Sequence, residues 1–379
     1  ADGGINANQP DLLGMAQVLW VLNVEALTDL HGDIPYSEAI SGAANLTPKL
    51  DSQESIYNDL LSKIDDAIAN LGTAAANGDN NAGKQDLLYG GSASKWQALA
   101  YAVKARLLLN TLYRNSAVLP QVLTAAQGAV DGGFEGAELD FFNGVDCDNS
   151  WAAYFWSRYY TGSSTTVTDM MAQRNDPRVD VYAIDYFGTG VVAAPAGDAE
   201  LAGATETVGV PTWLDNGAAT LHLFSKSELY FIIAEAKARL GQDASADFAT
   251  AVQASFDDFS ANNIDDYVDF DASTAAAYVA GLGQVTLGEV MVQKYLAQTR
   301  DEPIQTYNDL RRCKALGESF VTLRNPNNNI GGQNQLPLRL PYGNSDVVSN
   351  PNVAEAFGSG NNAGNYLFTE NIWLYGGNR

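Results

Sequence analysis

The chain contains few residues that could build a metal centre or a disulfide framework. Its 379 residues include only two cysteines, Cys147 and Cys313, and two histidines, His31 and His222. None of them falls in a CxxC or H-E-x-x-H pattern, and no G-x-S-x-G or P-loop motif occurs. The sequence therefore gives no support to a disulfide scaffold, a histidine-rich metal centre, hydride transfer or phosphoryl transfer.

Basic residues are also scarce. The chain has 21 Lys and Arg against 45 Asp and Glu, which gives a net charge of −24. Such a charge repels phosphate backbones, so we expect no nucleic-acid partner. It also keeps a protein soluble at high ionic strength, where screening weakens self-repulsion.

Long uninterrupted apolar runs are missing as well. The most apolar stretch, Leu12 to Leu30, is broken by Gln17, Asn23, Glu25 and Asp29. This pattern is typical of a buried amphipathic helix and is too polar for a membrane span. With 46% hydrophobic and 17% charged residues, the chain is predicted to fold around a large core.

Apolar residues recur at helical spacing along most of the chain. Helices are predicted over 10–31, 55–71, 94–114, 118–130, 225–241, 246–256, 287–298 and 303–314. The pair 225–256 is close to one tetratricopeptide period of about 34 residues. Between the helices lie polar, glycine-rich stretches over 74–91, 133–164, 188–219 and 323–365. We predict a mainly α fold, in which tetratricopeptide-type hairpins stack as a scaffold with long irregular loops, over a single domain of residues 1–379.

Six short segments resemble the SusD/RagB family. The first is His31-Gly32-Asp33-Ile34-Pro35-Tyr36, in which Gly32 ends a helix and Pro35 forces Ile34 into an extended conformation. Five more segments follow in the family's order: Lys95-Trp96 through Leu108, Asn175 to Val179, Glu228 to Gly241, Asp309 to Arg312, and Leu340 to Asp346. The charged motif residues Arg106, Asp176, Arg178, Glu235 and Arg312 are expected to be structural, because charges beside apolar helix faces are normally paired.

The resemblance implies a function and a location. Members of this family are surface lipoproteins of Bacteroidetes that bind glycans without cleaving them and deliver them to a SusC-like TonB-dependent transporter. We therefore expect a non-catalytic polysaccharide- or oligosaccharide-binding protein held at the outer membrane by an N-terminal lipid anchor, in a segment that precedes this sequence. The acidic net charge favours a neutral glycan, such as a β-glucan, over a uronate or a sulfated polymer.

The best candidate for the sugar-binding surface is the segment 141–160, which has eight aromatic residues in twenty positions. Sugar rings stack their C–H faces on aromatic rings, while carboxylates, amides and guanidinium groups bind their hydroxyls. We predict that the sugar is bound by Trp151, Tyr154, Trp156, Tyr159, Arg158, Asp146, Asp148 and Asn149. Phe141, Phe142 and Phe155 are instead expected to hold the loop against the core.

A second candidate lies in the segment 210–216. Trp213 could stack on a sugar, and its neighbour Asp215 could bind hydroxyls, although Asp215 and Asn216 are equally suited to an Asx-turn.

Two other functions compete with glycan binding. A helical glycoside hydrolase or lyase needs two carboxylates roughly 5 to 9.5 Å apart, one with a raised pKa. Asp146 and Asp148 are the nearest candidates, but an Asn/Asp-rich loop is at least as suited to turns or to a Ca²⁺ site; no cofactor is otherwise expected. A tetratricopeptide stack that only binds proteins is the other alternative, and it would expose aromatic residues on the helices and not on the loops.

Overall fold

The computed structural model describes residues 6, 8–158, 161–186, 188, 190, 192–195, 208–264, 266–323, 336–359, 364 and 366–379. These residues divide into two compact units. The described residues of 1–134, 304–319 and 336–379 form unit 1, and those of 135–303 and 320–335 form unit 2. The single domain expected over 1–379 stays a prediction.

Helices dominate both units, which confirms the predicted mainly α fold. In unit 1 they are α1 Pro10–His31, α2 Gln53–Asn77, α3 Ala93–Asn110, α4 Leu119–Asp131, α13 Asn344–Ser349 and α14 Pro351–Phe357. In unit 2 they are α5 Ser150–Arg158, α6 Thr165–Ala172, α7 Val179–Tyr182, α8 Lys226–Arg239, α9 Ser245–Asn262, α10 Ala275–Leu282 and α11 Leu287–Ala297. Helix α12, Pro303–Ala315, belongs to unit 1 from Ile304 onward.

In unit 1, helices that follow one another in the sequence pack together: α1 on α2, α2 on α3, and α3 on α4. The predicted apolar stripe of α2 is confirmed, since Ile56, Leu60, Ile64 and Leu71 are fully buried. Burying such side chains stabilises the fold by roughly 1.5 to 3 kcal/mol each.

Helix α1 ends as the glycine pattern predicts. Gly32 has φ +82° and its N–H bonds to the carbonyl of Thr28 at 2.7 Å. The chain then enters β1, Ile34–Pro35, which pairs antiparallel with β2, Leu50–Asp51.

The end predicted for α2 at Gly72 is wrong. The helix continues to Asn77 and ends at Gly78, which takes the left-handed conformation. Gly72 serves a different purpose, because a Cβ there would lie 2.6 Å from the Nε2 of Gln97 on α3. A glycine within a helix can mark a close helix contact as well as a helix end.

Unit 2 contains the predicted tetratricopeptide-type hairpin, in which α8 packs on α9 and α11 packs on α8. Ser225 caps α8 by accepting a hydrogen bond from the N–H of Glu228 at 2.9 Å. Strands β3, Ala137–Leu139, and β4, Leu221–Phe224, form an antiparallel pair with an irregularity between Ala137 and Glu138. The aromatic core of the unit is lined by Phe155, Phe231, Phe248, Phe256 and Phe259.

The charged motif residues are buried and paired, as expected for structural charges. The pairs are Arg106–Glu25 at 3.6 Å, Arg178–Asp176 at 2.6 Å, Arg239–Glu235 at 2.8 Å and Arg312–Asp309 at 2.7 Å. Within the described part of the chain, no helix combines the length and the apolar character that crossing a bilayer requires.

Candidate glycan-binding surface

Helix α5 carries Trp151, Tyr154 and Trp156, so the loop predicted over 133–164 is wrong for Ser150–Arg158. Asn149 starts this helix. Its Oδ1 accepts a hydrogen bond from the N–H of Trp151 at 2.8 Å, and its Nδ2 donates to the carbonyl of Ala219 at 2.9 Å. Because Asn149 is buried and both ends of its amide are used, it holds the helix in place and does not face a ligand, contrary to the prediction.

One side of α5 faces the core, and exposed aromatic side chains flank this buried side on its left and right. Ala152 and Phe155 are fully buried, whereas Trp151, Tyr154 and Trp156 are 42%, 44% and 36% exposed. Successive helical residues are about 100° apart. This spacing separates Trp156 from the side that carries Trp151 and Tyr154, so the single predicted platform divides into two surfaces.

The first of these, the Trp151 surface, consists of Trp151, Tyr154 and Arg158. All three side chains are exposed, and Arg158 makes a local hydrogen bond to the carbonyl of Ser157 at 3.1 Å. Tyr159, which was predicted to join them, lies outside the described residues.

The second, the Trp156 surface, consists of Trp156, Asp215 and Tyr267. The indole Nε1–H of Trp156 donates to Asp215 Oδ1 at 2.6 Å, and the hydroxyl of Tyr267 donates to Asp215 Oδ2 at 2.6 Å. Tyr267 is 46% exposed. The hydrogen bond to Asp215 is the main cause of a raised pKa of the Tyr267 hydroxyl, so this group stays a hydrogen-bond donor at neutral pH.

Tyr267 was not predicted from the sequence, and aromatic residues beneath it hold its ring in place. Its ring meets that of Tyr186 edge to face, with centroids 5.8 Å apart, and Tyr186 meets buried Phe155 in the same way at 5.7 Å. A series of aromatic contacts thus runs from the core of unit 2 to this surface. The only sequence signal was an aromatic residue in the acidic connection between α9 and α10.

Gly217 allows Trp156 to lie where it does. A Cβ at this position would be 2.8 Å from Cη2 of the indole and 3.0 Å from Oδ1 of Asp148. A larger residue would displace the ring, and the same contact places the carboxylate of Asp148 beside the Trp156 surface.

Trp213 offers no exposed ring for a sugar, which corrects the second prediction. It is 5% exposed, and its ring packs against Phe259 and Tyr182 with centroids 4.9 and 6.0 Å away. The 3₁₀ turn Thr212–Asp215 buries the tryptophan and leaves Asp215 half-buried at the surface.

The segment 141–148 is an exposed turn. Asn143 Oδ1 accepts hydrogen bonds from the backbone N–H groups of Val145, Asp146 and Cys147 at 2.9 to 3.2 Å. Asp146 and Asp148 are exposed. Among the described residues, no group of three or more His, Cys, Asp or Glu side chains is arranged to hold a metal ion.

The three phenylalanines expected in the core have different environments. Phe155 is fully buried as predicted. Phe141 is 41% exposed and Phe142 half-buried, with their ring centroids 4.5 Å apart, so the prediction for Phe141 is wrong. Phe155 of α5 therefore anchors the segment to the core, and Phe141 does not.

A carboxyl group with a strongly raised pKa, Glu302, is not part of these surfaces. Burial, with the neighbouring charge of Glu228, raises the pKa of Glu302 to about 8. Both side chains are buried, and Glu302 accepts a hydrogen bond from the N–H of Ser225 at 2.8 Å. This pair is part of the protein interior and does not face a sugar.

An open groove of about 420 Å³ also lies in unit 2. Its lining includes Thr250, Gln253 and Asp257 of α9 and Val279 of α10, and it contains no aromatic side chain. Because sugar stacking needs exposed rings, the two surfaces of α5 are the stronger candidates for glycan binding.

Comparison with known proteins identifies the family. Residues 2–343 match the SusD-like family described as starch-binding and associating with the outer membrane. A SusD/RagB family protein from Bacteroides thetaiotaomicron has 32% sequence identity and a TM-score of 0.84, covering 100% of this chain and 83% of its own. No curated protein sequence gives a significant match.

More distant structures share the fold. A SusD homologue from Bacteroides fragilis has 21% identity and a TM-score of 0.77, covering 99% of this chain and 86% of its own. A chitin-binding SusD homologue from Flavobacterium johnsoniae has 19% identity and a TM-score of 0.75, covering 99% and 82%. The family model matches most of this chain, and the relative with 32% identity aligns with all of it. The chain therefore belongs to the SusD-like family, which is described as starch-binding and associating with the outer membrane.

Proposed function

We propose that this protein binds a neutral polysaccharide or oligosaccharide at the cell surface and leaves it intact. The observation that carries the proposal is the Trp156 surface, where two half-exposed aromatic rings flank a carboxylate. Aromatic rings stack on the C–H faces of sugars, and a polar group close to them, such as the carboxylate of Asp148, can bind hydroxyls. The Trp151 surface extends the same chemistry along the other side of α5.

The charge of the protein supports a neutral ligand. The net charge is −24, and Asp215 and Asp148 lie at the Trp156 surface itself. A uronate or sulfate would be repelled there, whereas an uncharged glycan would not. The starch-binding description of the family and the chitin-binding relative both concern uncharged glycans. We keep a β-glucan as the ligand favoured from the sequence, because it is uncharged as well.

The proposal is tested by affinity electrophoresis followed by a cleavage assay. We expect retarded migration in a gel that contains β-glucan, soluble starch or glycol chitin, and normal migration in a gel that contains polygalacturonate. Overnight incubation with the retained glycan should release no reducing ends above a boiled control. Release of reducing ends would instead support the hydrolase or lyase alternative.

The second part of the proposal is delivery to a SusC-like TonB-dependent transporter from a lipid anchor in the outer membrane. The described residues of α1 support a protein contact, because Leu13, Trp20 and Leu27 are exposed and seven residues apart. At about 100° per residue they form one apolar stripe on the helix, which is unusual for a surface that meets only water.

This second part is tested in native membranes. We expect the full-length protein to fractionate with the outer membrane and to copurify with a barrel transporter after mild detergent extraction. Leu27→Glu should reduce that copurification, whereas Leu87→Glu, at an exposed leucine outside the stripe, should not. Recovery of both variants with an equal amount of transporter would reject the stripe as the contact.

A further inference from the structure

We propose that Asp215 acts as a positioning residue, which holds Trp156 and Tyr267 together as one two-ring stacking surface, and that Tyr267 is a sugar-contacting residue. This inference rests on the proposed glycan binding. It assigns Asp215 a different role from the hydroxyl ligand that the sequence predicts.

Three separate chain segments meet at this carboxylate. Trp156 comes from α5, Asp215 ends a 3₁₀ turn 59 residues later, and Tyr267 follows α9, 52 residues after Asp215. Each carboxylate oxygen of Asp215 accepts one hydrogen bond of 2.6 Å, one from the indole of Trp156 and one from the hydroxyl of Tyr267. One side chain thereby fixes the orientation of two rings that backbone contacts alone do not join.

Both rings need such a constraint because they are only half-buried. An exposed aromatic side chain can rotate about its Cα–Cβ and Cβ–Cγ bonds, and a sugar that binds it must first order it. Trp156 also abuts Gly217, and the ring of Tyr267 meets that of Tyr186 edge to face. The hydrogen bonds to Asp215 add a restraint that orients both rings before the sugar arrives.

A direct role for Asp215 predicts a different pattern of mutant effects. If Asp215 acts only through the rings, removal of the Tyr267 hydroxyl should lower the glycan affinity of the wild-type protein. The same removal should not change the affinity of a protein that already lacks Asp215. If Asp215 or the hydroxyl of Tyr267 binds sugar hydroxyls directly, the two losses should add. Such non-additivity is what a double-mutant cycle measures.

The experiment compares wild type, Asp215→Ala, Tyr267→Phe and the double variant, with soluble β-glucan, soluble starch and chitin oligosaccharides as separate probes. We expect Tyr267→Phe, which removes one hydrogen bond, to weaken binding by roughly tenfold, and Asp215→Ala, which removes both, to weaken it by at least as much. The double variant should bind within about twofold of Asp215→Ala. Asp215→Asn, which retains one acceptor oxygen, should restore part of the loss.

Asp269→Ala is the matched control, because it removes an exposed carboxylate two residues from Tyr267 that is not part of either surface. It should bind as wild type does. Tyr267→Phe removes one hydroxyl from a half-exposed side chain, so it keeps the test informative even if Asp215→Ala is poorly folded.

Additive losses in the double variant would assign Asp215 to direct hydroxyl binding and overturn the inference. Normal binding by both single variants would overturn it as well, while the proposed function would stand. Failure of the wild-type protein to bind any of the three probes would instead reject the proposed function, and this inference with it.

Discussion

At the scale of single residues, the guanidinium of Arg178 is a buried charge of unit 2 with several partners. It is fully buried and pairs with Asp176 through two hydrogen bonds of 3.0 and 2.6 Å. It also donates to Ser255 at 2.9 Å, while the hydroxyl of Tyr278 donates to Asp176 at 2.9 Å. The buried charges are therefore tied to α9 and α10, and loss of either charge would leave the other buried without its oppositely charged partner.

Asp176→Ala is expected to lower the free energy of unfolding by about 3 to 5 kcal/mol, because it leaves a buried arginine unpaired. Urea unfolding followed by circular dichroism measures the change. Lys63→Ala is the control: it breaks the partly exposed i, i+4 pair with Asp59, 3.7 Å apart, and should cost no more than about 0.5 kcal/mol. Equal effects of the two substitutions would show that the buried pair is not structural.

His222 gives the stability of unit 2 a pH dependence. Burial disfavours its charged form, but Asp258, Asp301 and Glu138 outweigh burial and the nearby Arg300, and raise the pKa of His222 to about 10. The distances from its ring nitrogens are 3.0 Å to Asp301, 3.1 Å to Glu138 and 3.5 Å to Asp258. Since the unfolded pKa is near 6.5, the folded state holds the extra proton between these two values.

The stabilisation from His222 should therefore be complete below about pH 6.5 and lost as the pH rises toward 10. We expect the free energy of unfolding of the wild type to fall between pH 7 and pH 10, and to fall by a few kcal/mol more than that of His222→Gln. This difference follows from about 1.4 kcal/mol for each unit of pKa shift. Urea unfolding at each pH provides the comparison. Parallel pH profiles for the two proteins would contradict the raised pKa.

Residue-scale predictions from the sequence succeeded for the paired charges and failed for parts of the candidate site. Asp176 and Arg178 are two residues apart in a recognisable motif, so their pairing was predictable. The contacts of Asp215 join residues 52 and 59 positions away, and no local pattern encodes them. Trp213 could not be distinguished from an exposed tryptophan because one side chain in a short turn has no periodicity that reveals its direction.

At the scale of elements, the close contact of α1 with α2 depends on a glycine. A Cβ on Gly14 would lie 2.5 Å from Cγ and 2.9 Å from Cδ2 of Leu71. Gly281, in α10, has no atom within 4 Å of the corresponding position. A side chain at Gly14 would therefore collide with the neighbouring helix α2, whereas a side chain at Gly281 would meet no other atom.

Gly14→Ala should lower the stability by about 1 to 3 kcal/mol through overpacking, although alanine is the better helix former. Gly281→Ala should leave the stability unchanged or raise it by up to about 1 kcal/mol. Thermal unfolding of both variants beside wild type distinguishes them. A melting temperature of Gly14→Ala equal to or above that of wild type would mean that the helices adjust without cost.

The presence of the long helices was predicted well, but α2 and α9 each extend six residues beyond their predicted ends at 71 and 256, and short helices were predicted poorly. Helix α12 is predicted over 303–314 and observed over Pro303–Ala315, and α11 agrees as closely, because several turns of apolar periodicity identify them. Helices α5, α13 and α14 have six to nine residues and fall within predicted loops. So few turns give too little periodicity, and their stability comes from tertiary contacts such as that of Phe155 with the core of unit 2.

At the scale of the whole molecule, the excess of 24 negative charges is the dominant feature. Their mutual repulsion opposes the compact state, and salt screens it over a Debye length that falls from about 30 Å at 0.01 M to about 3 Å at 1 M. The buried ion pairs that hold the motif residues are screened much less.

We therefore expect the melting temperature to rise as NaCl is increased from 10 mM to 0.5 M. A series measured by differential scanning fluorimetry, with a protein of near-zero net charge as the reference for general salt effects, tests this. A melting temperature that falls or stays level relative to the reference would show that repulsion does not limit stability.

The most direct test of the account is affinity electrophoresis of wild type, Trp156→Ala and Trp151→Ala in gels that contain a neutral glycan. We predict that wild type is retarded, that Trp156→Ala migrates as in an empty gel, and that its melting temperature stays within a few degrees of wild type, because the half-exposed ring leaves no closed cavity. Trp151→Ala should show a loss if the Trp151 surface extends the site. Equal retardation of all three proteins, or no retardation of wild type, would contradict glycan binding by the aromatic residues of α5.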